Sequence, residues 1–247
     1  MDRTARLLIA TTVLAWTGAS FTPPAHAQVA LAWNNCYGTA NATQALQYAC
    51  DGSLDGNSRR LVMSYELPAS IDSMSMTRGV VEFRSLAPAL LPDYWRVHGG
   101  GCREGVISYT PVHGAVGDPL LCANPFAGYP YNGSGGVGFG QGPDYFRAEG
   151  SMGTGFRIPV MGGKKYTAGV ILIDPVLGDC AGCEQEICIQ LVAVEIYFQG
   201  LPARPPVTLS GPNSTSFVTW QGLAPGICFG ATPARNRTWG AIKTLYR

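Results

Sequence analysis

The residues of this chain with the most chemical potential are its sulfurs. Cysteine stands at Cys36, Cys50, Cys102, Cys122, Cys180, Cys183, Cys188 and Cys228. The run Cys180-Ala181-Gly182-Cys183 has the spacing of a redox pair, and with Cys188 and Cys228 it offers four sulfurs to a zinc ion. A redox thiol needs a lowered pKa, usually from a helix N-terminus, and here Glu184 and Glu186 follow instead. An even number of cysteines in an exported chain points to four disulfides, so no metal or redox role is assigned. Local spacing predicts the pairs Cys36–Cys50 and Cys102–Cys122, closing loops worth about 3 kcal/mol each from chain entropy. Cys180, Cys183, Cys188 and Cys228 are then expected to pair among themselves, in an order that spacing does not fix.

Two glycine motifs match active-site patterns by letter. His98-Gly99-Gly100-Gly101 has the form of an oxyanion-hole loop. That chemistry also needs a serine on a Gly-x-Ser-x-Gly elbow. The nearest match, Glu149-Gly150-Ser151-Met152-Gly153, lacks the first glycine. Gly133-Ser134-Gly135-Gly136-Val137-Gly138 spells a dinucleotide fingerprint, but it follows a Tyr-Pro-Tyr-Asn turn and no helix follows it to bind a phosphate. Both read as turns.

Acid–base candidates are few. Outside the first 27 residues the histidines are His98 and His113. Asp93, Glu104, Asp118, Asp144 and Glu149 could serve a carboxylate-dependent hydrolase, but nothing in their spacing pairs them, and no catalytic residue is assigned. Asp174, Asp179, Glu184 and Glu186 offer oxygens to a structural Ca²⁺ without following the EF-hand pattern. The remaining recognition chemistry is aromatic. Tyr94, Trp95, Phe126, Tyr129, Tyr131 and Phe139 lie in or beside glycine-rich stretches. With Asn132 nearby, Trp95, Tyr129 and Tyr131 would make a sugar-stacking platform; their alternative role is to pin loops or fill the core. Asn-x-Ser/Thr sequons begin at Asn41, Asn132, Asn213 and Asn236.

The chain's ends and composition set the context. Residues 1–27 read as a signal peptide: Arg3 and Arg6, an apolar run over 7–21, and Ala25-His26-Ala27 as the cleavage site. No later segment has the length and apolarity of a membrane span. Cleavage would leave 15 basic and 15 acidic residues. With no basic run, nucleic acid is not an expected partner. Charged residues are 13% of the chain and hydrophobic ones 46%, which describes a folded protein poor in charge.

The positioning elements have period two. Residues 61–67 alternate with Leu61, Met63, Tyr65 and Leu67 on one face, and 79–84 place Val81 and Phe83 likewise. Residues 166–174 and 187–198 are strand-like, the latter apolar on both faces as a central strand requires. Shorter strands are expected at 29–33, 106–109, 145–149, 156–160 and 217–221. Turn clusters separate them, and no βαβ alternation appears. The predicted fold is all-β: a disulfide-linked antiparallel β-sandwich, jelly-roll-like, over residues 28–200. Residues 124–142 read as a long surface loop, 201–215 as a proline-rich connector, and 216–247 as a docked strand followed by a short helix over 238–247.

A resemblance rests on specific stretches: Leu31-Ala32-Trp33-Asn34-Asn35-Cys36, Ala49-Cys50-Asp51, Cys180-Ala181-Gly182-Cys183 with Ile187-Cys188-Ile189, and Phe217-Val218-Thr219-Trp220-Gln221 with Arg235-Asn236-Arg237-Thr238-Trp239-Gly240. Across most of the chain after residue 27 this resembles a group of uncharacterised exported proteins of environmental bacteria. The resemblance implies export and a shared fold, and it carries over no functional residue. The expected function is a non-enzymatic structural or adhesion protein, secreted, periplasmic or at the cell surface, with surface glycans or other exported proteins as partners. The alternatives are a carbohydrate-binding module and an exported hydrolase.

Overall fold

The computed structural model describes residues 28–50, 59–86, 90–111, 120–174, 180–200, 203–211, 213–222 and 228. Alternating apolar residues build two sheets. The smaller runs β1 (Gln28–Trp33), β3 (Arg59–Glu66), β8 (Lys165–Ile173), β5 (Ile107–Thr110), antiparallel throughout. The larger runs β2 (Ala45–Leu46), β11 (Phe217–Trp220), β9 (Ile187–Phe198), β4 (Ile71–Ser85), β7 (Tyr145–Val160), β6 (Asn132–Gln141). A further strand, β10 (Val207–Ser210), shares one edge of β9 with β11, each taking part of its length. β2 and β11 are parallel; the other ladders of this sheet are antiparallel.

The sheets meet through one core. Leu61, Met63, Tyr65 and Leu67 from the small sheet pack in the same cluster as Val81, Phe83, Ile189, Leu191 and Ile196 from the large one. This is the sandwich that the period of two implies, since each sheet has an apolar face that must be covered. On β9 the expectation is corrected. A bulge at Val192 keeps Leu191 and Val194 both inward, and the opposite face carries Gln190, Glu195 and Tyr197 rather than a second apolar layer.

One end of the sandwich is closed by aromatic rings. After Pro92, a 3-10 turn over Asp93–Trp95 drives Tyr94 and Trp95 inward. Trp95 meets Trp220 edge-on at 5.2 Å between centroids and Phe83 at 5.6 Å. Phe83 stacks on Phe146 at 4.4 Å. Trp220 also contacts Trp33, Tyr48 and Tyr94, and its indole N–H donates to the Cys183 carbonyl at 2.7 Å. The buried Arg103 guanidinium lies 3.8 Å from the centroid of the Tyr94 ring and donates to the Tyr94 and Asp174 carbonyls.

Four disulfides form, and their pairing corrects the local prediction. The bridges are Cys36–Cys122, Cys50–Cys183, Cys102–Cys180 and Cys188–Cys228. Neither Cys36–Cys50 nor Cys102–Cys122 exists, and of the four later cysteines only Cys188 and Cys228 pair with each other. Loop-closure entropy rises only slowly with loop length, so short spacing is a weak selector. Neighbourhood in the folded sandwich decides instead. Cys36–Cys122 fastens two segments over the outer side of the small sheet, against Val62 and Val170. Cys50–Cys183 and Cys102–Cys180 tie two loops to the segment at 180–183 beside the aromatic end.

Residues 132–141, expected within a surface loop, form strand β6, and the reason is Tyr109. Its ring lies in a slot walled by Gly135, Gly150 and Gly169, where an added Cβ would collide with it. Its hydroxyl donates to the Ala168 carbonyl at 3.1 Å. Glycine in β6 therefore serves close approach between the sheets, not turning. Residues 145–149 and 156–160 belong to the single strand β7. The proline-rich connector contains β10. The helix expected over 238–247 lies outside the described residues.

Non-reducing peptide mapping should recover the four bridges above, and a Cys50→Ser/Cys183→Ser variant should lose about 2–5 kcal/mol in urea unfolding. Burial pushes the Tyr65 phenol well above its usual range, with Tyr166 adding to the effect. The unfolded chain would ionise this group near pH 10 while the folded one would not. Stability should therefore fall as pH rises past about 10, and Tyr65→Phe should flatten that fall in pH-dependent unfolding curves.

Candidate binding surface

The outer face of the large sheet carries an ordered charge pattern. On β4, period two puts Arg78, Val80, Glu82 and Arg84 on that face. Arg78 pairs across the sheet with Glu195 of β9 at 3.0 Å and with Glu149 of β7. The hydrogen bonds that Arg78 donates, to Glu149 above all and to Glu195, hold its guanidinium charged more firmly than usual. The Tyr197 hydroxyl donates to Glu195 at 2.7 Å, and that bond raises the phenol's pKa. Glu82 reverses the arrangement: a largely covered carboxylate accepts from Arg84 at 2.7 Å and from Arg147 at 3.0 Å. Arg84 also reaches Asp144 at 2.9 Å and lies over the Tyr145 ring. One arginine between two glutamates thus adjoins one glutamate between two arginines.

Beside Arg78 the surface dips. A groove of about 380 Å³ is lined by Arg78 of β4, Glu149 and Ser151 of β7, and Ser134 and Gly136 of β6. A second hollow, about 250 Å³, lies at the aromatic end between Leu91, Arg96, His98 and Tyr145.

The predicted aromatic platform is divided by the fold. Trp95 is 0% exposed and belongs to the core. The 3-10 turn points it between the sheets, so it offers no face to a sugar. Tyr131 is half-buried, stacks on the buried Phe126, and donates to the Pro111 carbonyl at 3.4 Å, which pins its loop. Tyr129 is 36% exposed and Asn132 is exposed. Tyr129's ring partner is Phe156 of β7, 51% exposed, with centroids 6.0 Å apart and planes 42° apart. The pair is exposed but not coplanar. Phe156 was legible only as a strand residue. It emerges because residues 154–157 bulge out opposite the single residue Ser75.

The acid–base candidates are tied down separately. Asp93 pairs with Arg96, Asp144 with Arg84, and Glu149 with Arg78. Glu104 accepts the Gly100 amide at 2.9 Å, and the Gly101 amide donates to the His98 carbonyl. These two amides of the His98–Gly101 turn are thereby used within the turn. Gly133–Gly138 runs in strand β6, with no helix N-terminus behind it. Among the described residues no three His, Cys, Asp or Glu side chains converge as a metal site; Asp118, His113 and Asp179 lie outside those residues. No helix among the described residues is long and apolar enough to cross a membrane. A scan against protein-family models matches none to this chain, and a search of curated proteins returns no match.

Removing Arg78 leaves Glu149 and Glu195 facing each other without their shared cation. Arg78→Met should cost about 1–2 kcal/mol of unfolding free energy, and adding Glu149→Gln and Glu195→Gln should restore most of it. A chemical-denaturation cycle over these variants measures both effects.

Proposed function

We propose that this chain is an exported, non-enzymatic protein of the structural or adhesion type. The supporting observation is the use of its carboxylates: the described candidates for acid–base work are bound to arginine or to backbone rather than set against one another. A glycosidase needs two carboxyl groups about 5–10 Å apart, one of them free to give a proton. Four disulfides joining segments between 40 and 133 residues apart suit a domain that must hold its shape outside the cell.

A second reading, a carbohydrate-binding module, is favoured by the exposed Tyr129–Phe156 pair beside Asn132. Aromatic faces stack on the apolar faces of sugars, and amide side chains bond their hydroxyls. Of the expected platform, Trp95 and Tyr131 are not part of this reading, since Trp95 lies in the core and Tyr131 pins its loop.

A glycan array probed with the exported chain separates these possibilities. Retention on one or more glycans, weakened about tenfold by Tyr129→Ala or Phe156→Ala, a loss of ~1.4 kcal/mol, favours the second reading, and no retention favours the first. No reducing ends should be released. Release of reducing ends that Glu149→Gln abolishes would establish a hydrolase and overturn the proposal.

A further inference from the structure

At the bulge in β7 the surface holds a second kind of site. Residues 154–157 leave the β4 ladder, and Arg157 emerges exposed. Across from it the chain leaves β9 through Phe198, Gln199 and Gly200. This turn is fixed to β4 by the Gln199 amide, which donates to the Ser73 carbonyl at 3.0 Å. Gly200 has φ +149°, and an added Cβ would stand 3.4 Å from an Arg157 guanidinium nitrogen. Glycine there lets the guanidinium lie along the backbone. Arg204 closes the other side, and Asp72 and Ser73 complete a polar cleft of about 170 Å³.

The charges of this cleft are unlike those of the outer face. Arg78, Arg84 and Arg147 all have carboxylate partners. Arg157 and Arg204 have none within ion-pair distance among the described residues, although both line one cleft with Asp72. Two cations against one anion leave a positive excess. The Ser73 hydroxyl, buried beneath the cleft, has no hydrogen-bond partner among the described residues. Two arginines in one cleft form a receptor for an oxyanion, since arginine presents paired N–H donors matched to carboxylate and sulfate oxygens. The Phe198 ring supplies an apolar wall.

We infer that this cleft binds the carboxylate or sulfate group of an acidic saccharide, held by Arg157 and Arg204. The saccharide assignment rests on the glycan-binding reading above; the anion site rests on the arginines alone. The two cations favour an anion over a neutral sugar, and Asp72 opposes them by repelling the bound anion.

The test uses the exported chain labelled with ¹⁵N and follows the amides of Arg157, Gln199 and Gly200. Sodium glucuronate and sodium sulfate are titrated separately, with glucose as the neutral control. Saturable shifts at these amides are expected with one or both anions and not with glucose. Shifts with glucuronate alone identify a uronate site, and with sulfate alone a sulfate-ester site. Arg157→Gln and Arg204→Gln should each weaken binding at least about fivefold, and Asp72→Asn should strengthen it. Unchanged amides over Phe217–Trp220 report that each variant is folded. No shift with either anion, or shifts that survive the double arginine variant, would overturn the site. A poly-glutamate peptide that binds more tightly than oligoglucuronate would overturn the saccharide assignment. Tyr129→Ala separates the two proposals: it should weaken retention on glycans through the exposed ring pair about tenfold while leaving the anion shifts intact.

Discussion

Trp220 sits where several parts of the chain converge. Its ring touches Trp33 from the small sheet, Tyr48 from the loop before Cys50, and Tyr94 and Trp95 from the 3-10 turn. Its N–H is spent on the carbonyl of Cys183, a half-cystine of the bridge to Cys50. An indole buried this deeply brings a large apolar area and one donor that must be satisfied, and both demands are met at the same place. The closure of the sandwich at this end, the position of β11 beside β9, and the path of the 180–183 segment all depend on that contact. Gln221 extends it by donating to the Tyr48 carbonyl at 2.6 Å.

With the interior closed by rings and sulfurs, polar chemistry is left to the outside of the large sheet. There the alternation along β4 places charges of opposite sign on one face, and antiparallel neighbours supply their counterions. Such half-exposed pairs add modestly to stability, but they occupy the carboxylates. The departures from this arrangement are local and have one origin. The bulge in β7 lifts Phe156 towards Tyr129 and frees Arg157 from the ladder, so the exposed ring pair and an arginine without an ion-pair partner among the described residues both arise where strand pairing is interrupted. Bulges often re-aim side chains in this manner.

Much of the fold was legible in the residues. Alternation at 61–67 and 79–84 marks the core faces, and 187–198 coincides with β9, because a strand between two others needs a continuous run of β-forming residues. Glycine misled where it served packing: Gly135 reads as a turn residue until Tyr109 is known to lie against it. Of the four residues expected to bind, Trp95 could not be distinguished from a surface ring by its neighbours. Its burial depends on Phe83, Phe146 and Trp220, which are remote in sequence. Phe156 and Arg157 carried no signal beyond a strand pattern, because a bulge depends on the length of the opposing strand.

The amino-acid sequence by itself determined that this is a β-rich chain with a low charge content, an even set of half-cystines and two apolar faces to bury. Those properties are local, fixed by residue type and by the pleat of a strand. The tertiary structure alone decided which sulfurs meet, which aromatic rings are hidden, and which arginines find a carboxylate partner among the described residues. Each of these is a relation between segments tens of residues apart. Spacing along the chain constrains such relations weakly, since loop closure costs little more for a long loop than for a short one, while packing in the folded core fixes them.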